Sequence, residues 1–219
     1  MKSNFSRLGA YILSVLFAIS LVPLMEGCGL ATVRGVSSVA TEDRRQANTV
    51  VLDRLTQLNS KSIANSILRS RGHIEVTVYN GVVLLTGQVP SHEDKIRVER
   101  ALSRGRNVRR MVSGLIVAHE TTIMQRADDA VLTSMVKASI CQLQGRFSSI
   151  IGVVTENGVV YLVGIVTKEE AKTVYSCVRA IPGVKNVVEA FQIVSKKVAD
   201  LFDRSYSENS SKNKDVLVC

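Results

Sequence analysis

At 219 residues the chain has room for two small domains, each near the lower limit for a self-sufficient core. A net charge of +9 and a pI near 9.6 predict an acidic partner: nucleic acid, anionic lipid or an acidic polymer. An aromatic content of 5% with no Trp counts against nucleic acid, because single-strand binders use aromatic stacking platforms.

Residues 1–28 read as a targeting segment. Lys2 and Arg7 give a positive start, and Leu8 to Leu24 is an apolar run interrupted by Pro23. Leu24-Met25-Glu26-Gly27-Cys28 follows and resembles a lipobox, with Glu26 where a small or apolar residue is usual. Cys28 would then be the lipidated residue. The alternative is a secretory signal cut elsewhere or an uncleaved anchor, although no clean small-x-small site precedes Cys28. Gly29 follows, with no Asp in its place to signal retention at the inner membrane.

Residues 29–47 read as a tether rich in Gly, Ser, Thr and Ala. A first domain is expected over 48–118. It opens with a helical stretch from Ala47 to Arg71, in one or two parts, with apolar stripes Val51, Leu55, Leu58 and Ile63, Ile67, Leu68. Ser60 or Ser62 could cap a second part. Ile74, Val76 and Val78 then alternate as in a half-buried strand. Asn80-Gly81 predicts a type I′ hairpin turn, because both residues accept φ > 0. Val82 to Gly87 follows as the second strand, Ser91 to Ser103 as a helix, and Val108 to Val117 as the third strand.

After a linker over 119–127 the pattern returns in a second domain, 128–196. Asp128-Asp129 is placed at a helix start, where the macrodipole favours carboxylates, with Leu132, Val136, Ile140 and Leu143 as the buried stripe. Asn157-Gly158-Val159-Val160-Tyr161-Leu162-Val163-Gly164 repeats Asn80-Gly81-Val82-Val83-Leu84-Leu85-Thr86-Gly87. The closing Gly of each copy marks close backbone approach or unusual φ. Thr167 to Ile181 is the second helix, and Val184 to Ile193 the third strand. Residues 197–219 read as a polar, disordered tail.

The fold class is therefore α+β: two αββαβ units, each a three-stranded mixed sheet with two helices on one face. The hairpin makes the first two strands antiparallel, and the helical crossover returns the third parallel to the second.

These residues resemble the BON domain, whose pattern is an aliphatic strand, Asn-Gly, V-x-L-x-G, a helix with early acids, then G-V-x-x-V. Gly183-Val184-Lys185-Asn186-Val187 carries the last element, and Asn107-Val108 stands in its place in the first copy. Two such domains behind a lipoprotein signal resemble the dual-BON outer-membrane lipoproteins of Gram-negative bacteria, as does Thr41-Glu42-Asp43-Arg44-Arg45. The resemblance spans about residues 28–195. It implies an anchored protein on the periplasmic side of the outer membrane, with a soluble periplasmic protein as the alternative. It also implies lipid contact on the first helix of the second domain, which maps to Arg126, Val131, Leu132, Met135 and Lys137.

No catalytic constellation accompanies this pattern. His73, His92 and His119 are isolated, and the adjacent acids Asp128-Asp129 and Glu169-Glu170 do not face each other on a helix. No phosphate-cradling loop and no close cysteine spacing are present, so no cofactor or metal is expected. Cys141 and Cys177 lie on the two helices of the second domain, where a disulfide is one reading and two buried free thiols the other; Cys219 could pair between chains.

Basicity concentrates in the first domain: 13 basic against 5 acidic residues from Arg44 to Ala118, and 9 against 7 from His119 to Ala199. Arg97, Arg100, Arg104, Arg106, Arg109 and Arg110 form either an auxiliary anion-binding patch, adding salt-sensitive attraction to the membrane, or a solvated face. The favoured function is a non-enzymatic, lipid-anchored envelope protein that binds anionic phospholipid and supports outer-membrane integrity. The alternative is a periplasmic module acting on other envelope proteins under osmotic or envelope stress. Nucleic acid fits the charge but not the export signal.

Overall fold

Both Asn-Gly pairs lie in the left-handed region: Asn80 at φ 48°, Gly81 at 74°, Asn157 at 52° and Gly158 at 77°. They therefore make the tight turns that the repeat predicted. The computed structural model describes residues 43–69, 71–143 and 147–204, all within one compact unit, Val39–Cys219. The first domain runs α1 (Ala47–Leu68), β1 (His73–Tyr79), β2 (Val82–Val89), α2 (His92–Ser103) and β3 (Arg110–Val117). The second runs α3 (Ile123–Cys141), the single turn α4 (Phe147–Ile150), β4 (Ile151–Glu156), β5 (Val159–Val166), α5 (Lys168–Arg179) and β6 (Asn186–Ile193). A last helix, α6, covers 196–204.

Each sheet has its hairpin pair antiparallel and its crossover pair parallel, in the order β1-β2-β3 and β4-β5-β6. The closing glycines are required by close packing across the hairpin. Gly87 has φ 118°, and a Cβ there would collide with the His73 carbonyl. Gly164 faces the Ile150 carbonyl in the same way. One face of each sheet packs on its own helices. In the first domain Ile74, Val76, Val83, Leu85, Val98 and Leu102 form that core; in the second, Leu132, Val136, Val160, Leu162, Val174 and Phe191 do.

The other faces of the two sheets pack on each other. Tyr79 and Leu84 of the first domain share a cluster with Tyr161, Val163, Ile165 and Ala190 of the second. All eight residues of β2 are consequently buried. A polar seam fixes the direction of this packing. Asn80 Nδ2 donates to Gln192 Oε1 at 2.6 Å, and Arg110 Nη2 to the Phe191 carbonyl at 2.9 Å. Gln88 Nε2, fully buried, donates to Glu156 Oε1 at 2.6 Å, while its Oε1 accepts from the Thr121 amide and hydroxyl. The turn end of the first sheet thus lies beside the far end of the second, and the two Asn-Gly turns point in opposite directions. The layers run helices, sheet, sheet, helices.

Several expectations are corrected. α1 is one helix, with Ser60 buried in its middle and capping nothing. Its stripe Val51, Leu55, Leu58 faces solvent, because Asp53 must face inward to reach the turn. α3 starts at Ile123 under a Thr122/Gln125 capping box, so Asp128 and Asp129 are not at a helix start. Asp43 to Arg45, assigned to the tether, pack against both domains. Residues 197–204, assigned to the tail, are helical: Ala199 is buried, Phe202 packs on the inter-sheet core and Asp203 pairs with Arg44. Residues 205–219 lie outside the described residues.

Candidate functional site

α3 is positioned by one carboxylate. Asp129 accepts from the Asn157 amide at 2.7 Å and the Gly158 amide at 2.8 Å. Asp53 of α1 does the same for Asn80 and Gly81, at 2.6 and 2.9 Å. A left-handed turn leaves adjacent N–H groups pointing one way, and a carboxylate accepts both. With Asp129, Leu132, Val136 and Ile140 inward, the opposite face of α3 is fixed outward.

That outer face carries almost no charge. Ile123 is 86% exposed, Val131 62%, and Met124 and Met135 are also exposed. Between them lie Ala127, Ala130, Ser134 and Ala138, all exposed and small. Beside Val131 and Met135 runs a groove of about 400 Å³, floored by Leu132 and walled by Asp128, Pro182, Gly183 and Lys185. Lys185 lays its stem across Gly158 and donates through Nζ to the Asn157 carbonyl at 3.0 Å, so a cation stands at the rim of an apolar groove.

The sequence-assigned lipid residues divide. Val131 and Met135 are exposed together on the flank facing the groove, whereas Leu132 is in the core. Arg126 and Lys137 occupy the other flank, about 160° away around the helix at 100° per residue. There Arg126 pairs with Glu120 at 3.6 Å. Ile123, Met124 and Lys185 complete the site and were not assigned from sequence. Lys185 could have been found from the repeat, since it stands where Arg109 stands against Gly81 in the first domain.

The arginine set is not one patch either. Arg110 bonds the Phe191 carbonyl across the domains, Arg109 rests on the Gly81 turn, and Arg97 lies 3.7 Å from Asp94. Arg100, Arg104 and Arg106 are exposed, with no carboxylate in ion-pair distance among the described residues. Arg97, Arg100, Arg104 and Arg106 lie on or at the end of α2, in the helix layer on the far side of the stack from α3. At about 10 Å per layer the two helix layers are roughly 30 Å apart. That is several Debye lengths, over which attraction from the α2 arginines to a flat surface touched by α3 is largely screened. Cys141 is exposed and Cys177 half-buried, both as free thiols; Cys28 and Cys219 lie outside the described residues.

A second polar centre ties the domains together. Arg44, 5% exposed, donates to both Glu170 oxygens at 2.7 and 2.8 Å, to Asp203 at 3.0 and 3.1 Å, and to the Ile165 carbonyl at 3.0 Å. Burial pushes the Glu170 carboxyl up, but bonds from Arg44 and the Thr167 amide outweigh it and hold it below the usual carboxylate range. Arg45 pairs with Asp43 and Asp53 and lies 4.0 Å over the Tyr79 ring. The Tyr79 hydroxyl donates to Asp43 at 2.7 Å; burial first, then Asp43, raises its pKa far above the ordinary phenol value.

Among the described residues no His, Cys, Asp and Glu cluster is disposed to hold a metal, and no helix is long and apolar enough to cross a membrane. The chain matches the BON domain at residues 54–118 and again at 128–195. It is 29% identical over 174 residues to the outer membrane lipoprotein DolP of Haemophilus influenzae, covering 77% of this chain and 89% of that one. It is 30% identical to a protein encoded in the gshII 5′ region of Anaplasma centrale, covering 66% and 95%, and 24% identical to a 21 kDa hemolysin of Actinobacillus pleuropneumoniae, covering 58% and 66%. The chain belongs to the BON-domain family, as a dual-BON protein of the outer-membrane lipoprotein kind.

Proposed function

We propose that the chain is a non-enzymatic, lipid-anchored envelope protein that binds anionic phospholipid through the outer face of α3 and so supports outer-membrane integrity. One observation carries this reading: a folded helix leaves Ile123, Met124, Val131 and Met135 in solvent around small residues, with Lys185 at the rim. Apolar tips enter the acyl boundary while nearby cations meet the phosphates. The exposed α5 cations Lys168, Lys172 and Arg179 belong to the same helix layer. Lipidation at Cys28 would hold this face near the membrane. The non-enzymatic reading is supported by Asp129 and Asp53, whose oxygens are engaged by turn amides and so are poorly suited to general-base work. The test is flotation of residues 29–219, which retain every contact described above, with phosphatidylglycerol-containing vesicles. Val131→Glu should weaken flotation at low and high salt alike, because it removes apolar insertion. Undiminished flotation of Val131→Glu, with the fold intact, would contradict the reading.

A further inference from the structure

The first domain's helix layer is also dressed on its outside in a way its fold does not require. α1 turns Asp53, Thr56, Ser60 and Ala64 inward and leaves Val51, Leu52, Leu55 and Leu58 in solvent, Leu55 at 57%. On α2, beside it, Ile96 is exposed next to Arg97 and one turn before Arg100. Arg104 and Arg106 follow at the end of α2 nearest the N-terminal half of α1, because Arg109 and Arg110 bond the Gly81 carbonyl and Asp53 caps that same turn. The exposed acid of α2, Glu93, is at the opposite end of the helix.

We propose that this outer face of α1 and α2 is a second anionic-bilayer surface, so that one molecule joins two bilayer surfaces through opposite helix layers. The claim of a second surface stands by itself; the joining rests on the α3 reading. The occupant follows from chemistry. Excess arginine repels a second copy of the same face and attracts an anionic one. Single apolar tips on two neighbouring helices, interleaved with cations, suit shallow insertion with arginines at phosphate depth. The two faces are the outer layers of one stack, so a flat membrane meets only one at a time. Two bilayers held together this way would be separated by roughly 40 Å of protein, from four layers of about 10 Å each.

The experiment adds residues 29–219 to vesicles of phosphatidylethanolamine with phosphatidylglycerol, reading flotation and clustering by light scattering. Wild type should float and cluster. Leu55→Glu with Arg104→Glu should still float but lose clustering; Val131→Glu with Met135→Glu should float more weakly, through the one surface left, and also lose clustering; all four together should do neither. Arg104→Glu with Arg106→Glu should lose clustering mainly at low salt. Circular dichroism verifies that these exposed substitutions leave the fold intact. Flotation without clustering by wild type overturns the proposal and leaves an acidic protein segment as the occupant. A wild-type dimer that Leu55→Glu dissociates overturns it in favour of a second copy. If the Val131/Met135 variant floats and clusters like wild type, the α3 reading fails instead, and if it no longer floats at all, the second surface fails.

Discussion

Arg44→Ala should be among the most damaging single changes outside the cores. All five guanidinium N–H groups are used: two on Glu170, two on Asp203 and one on the Ile165 carbonyl, with no donor left over. Removing the side chain leaves two carboxylates facing each other without the guanidinium that bridges them. Breaking a buried ion pair from one side costs about 3–5 kcal/mol. The Glu170 and Asp203 side chains keep 24% and 29% of their exposure, so water recovers part of the loss and the low end, about 3 kcal/mol, is expected. For a unit of this size that lowers Tm by roughly 6–12 °C. Urea denaturation and thermal circular dichroism of Arg44→Ala and Arg44→Lys measure it. Lysine keeps the charge but not the fork, so it should recover only part of the loss. An Arg44→Ala variant within about 1 kcal/mol of wild type would refute the reasoning, placing the Arg44 centre among ion pairs of surface value.

Asp129→Ala should cost about 3 kcal/mol, because two turn amides lose a charged acceptor, and Asp53→Ala should cost a similar amount and also remove one of the two carboxylates that Arg45 pairs with; chemical denaturation compares them. Gly87→Ala should cost about 3 kcal/mol or more, since a left-handed φ and the His73 carbonyl both oppose a Cβ; soluble yield and Tm report it. Glu170 is held below its ordinary range, so its contribution is full above the unfolded value, about pH 4.3, and is lost as pH falls through the lower folded value. Glu170→Gln should flatten that acid limb of a stability-versus-pH curve, and an unchanged limb would remove Glu170 as its cause.

The repeat units were legible because their signals are local. Asn-Gly demands a left-handed turn, the closing glycines mark a close backbone approach, and alternating Ile74, Val76, Val78 shows one buried face. The sheet-on-sheet packing was not legible, because Leu84, Thr86 and Gln88 read equally well as solvent-facing or as covered. The Arg44 centre was not legible for a similar reason: Arg44 meets Glu170 and Asp203 across 126 and 159 residues, and no periodicity links them. The N-terminal half of α1 was placed with the wrong face inward, while Ile63, Ile67 and Leu68 pack on the core as their spacing predicted. Helical spacing grouped Val51, Leu55 and Leu58 correctly but could not say that Asp53, reaching for two turn amides, would turn them to solvent. The equivalence of Asp53 and Asp129, 27 and 28 residues before their Asn-Gly turns, held that information.

Membrane contact by α3 is tested most directly by a reporter on the helix itself. With the other cysteines replaced, Val131→Cys, Met135→Cys and Lys137→Cys each carry an environment-sensitive dye, and phosphatidylglycerol-containing vesicles are added. Contact through the groove flank predicts a blue shift at 131 and 135, quenching there by lipid-embedded quenchers, and a much smaller change at 137 on the opposite flank. Equal responses at all three positions, or none at 131 and 135 while the protein still floats with the vesicles, would contradict lipid binding by this face.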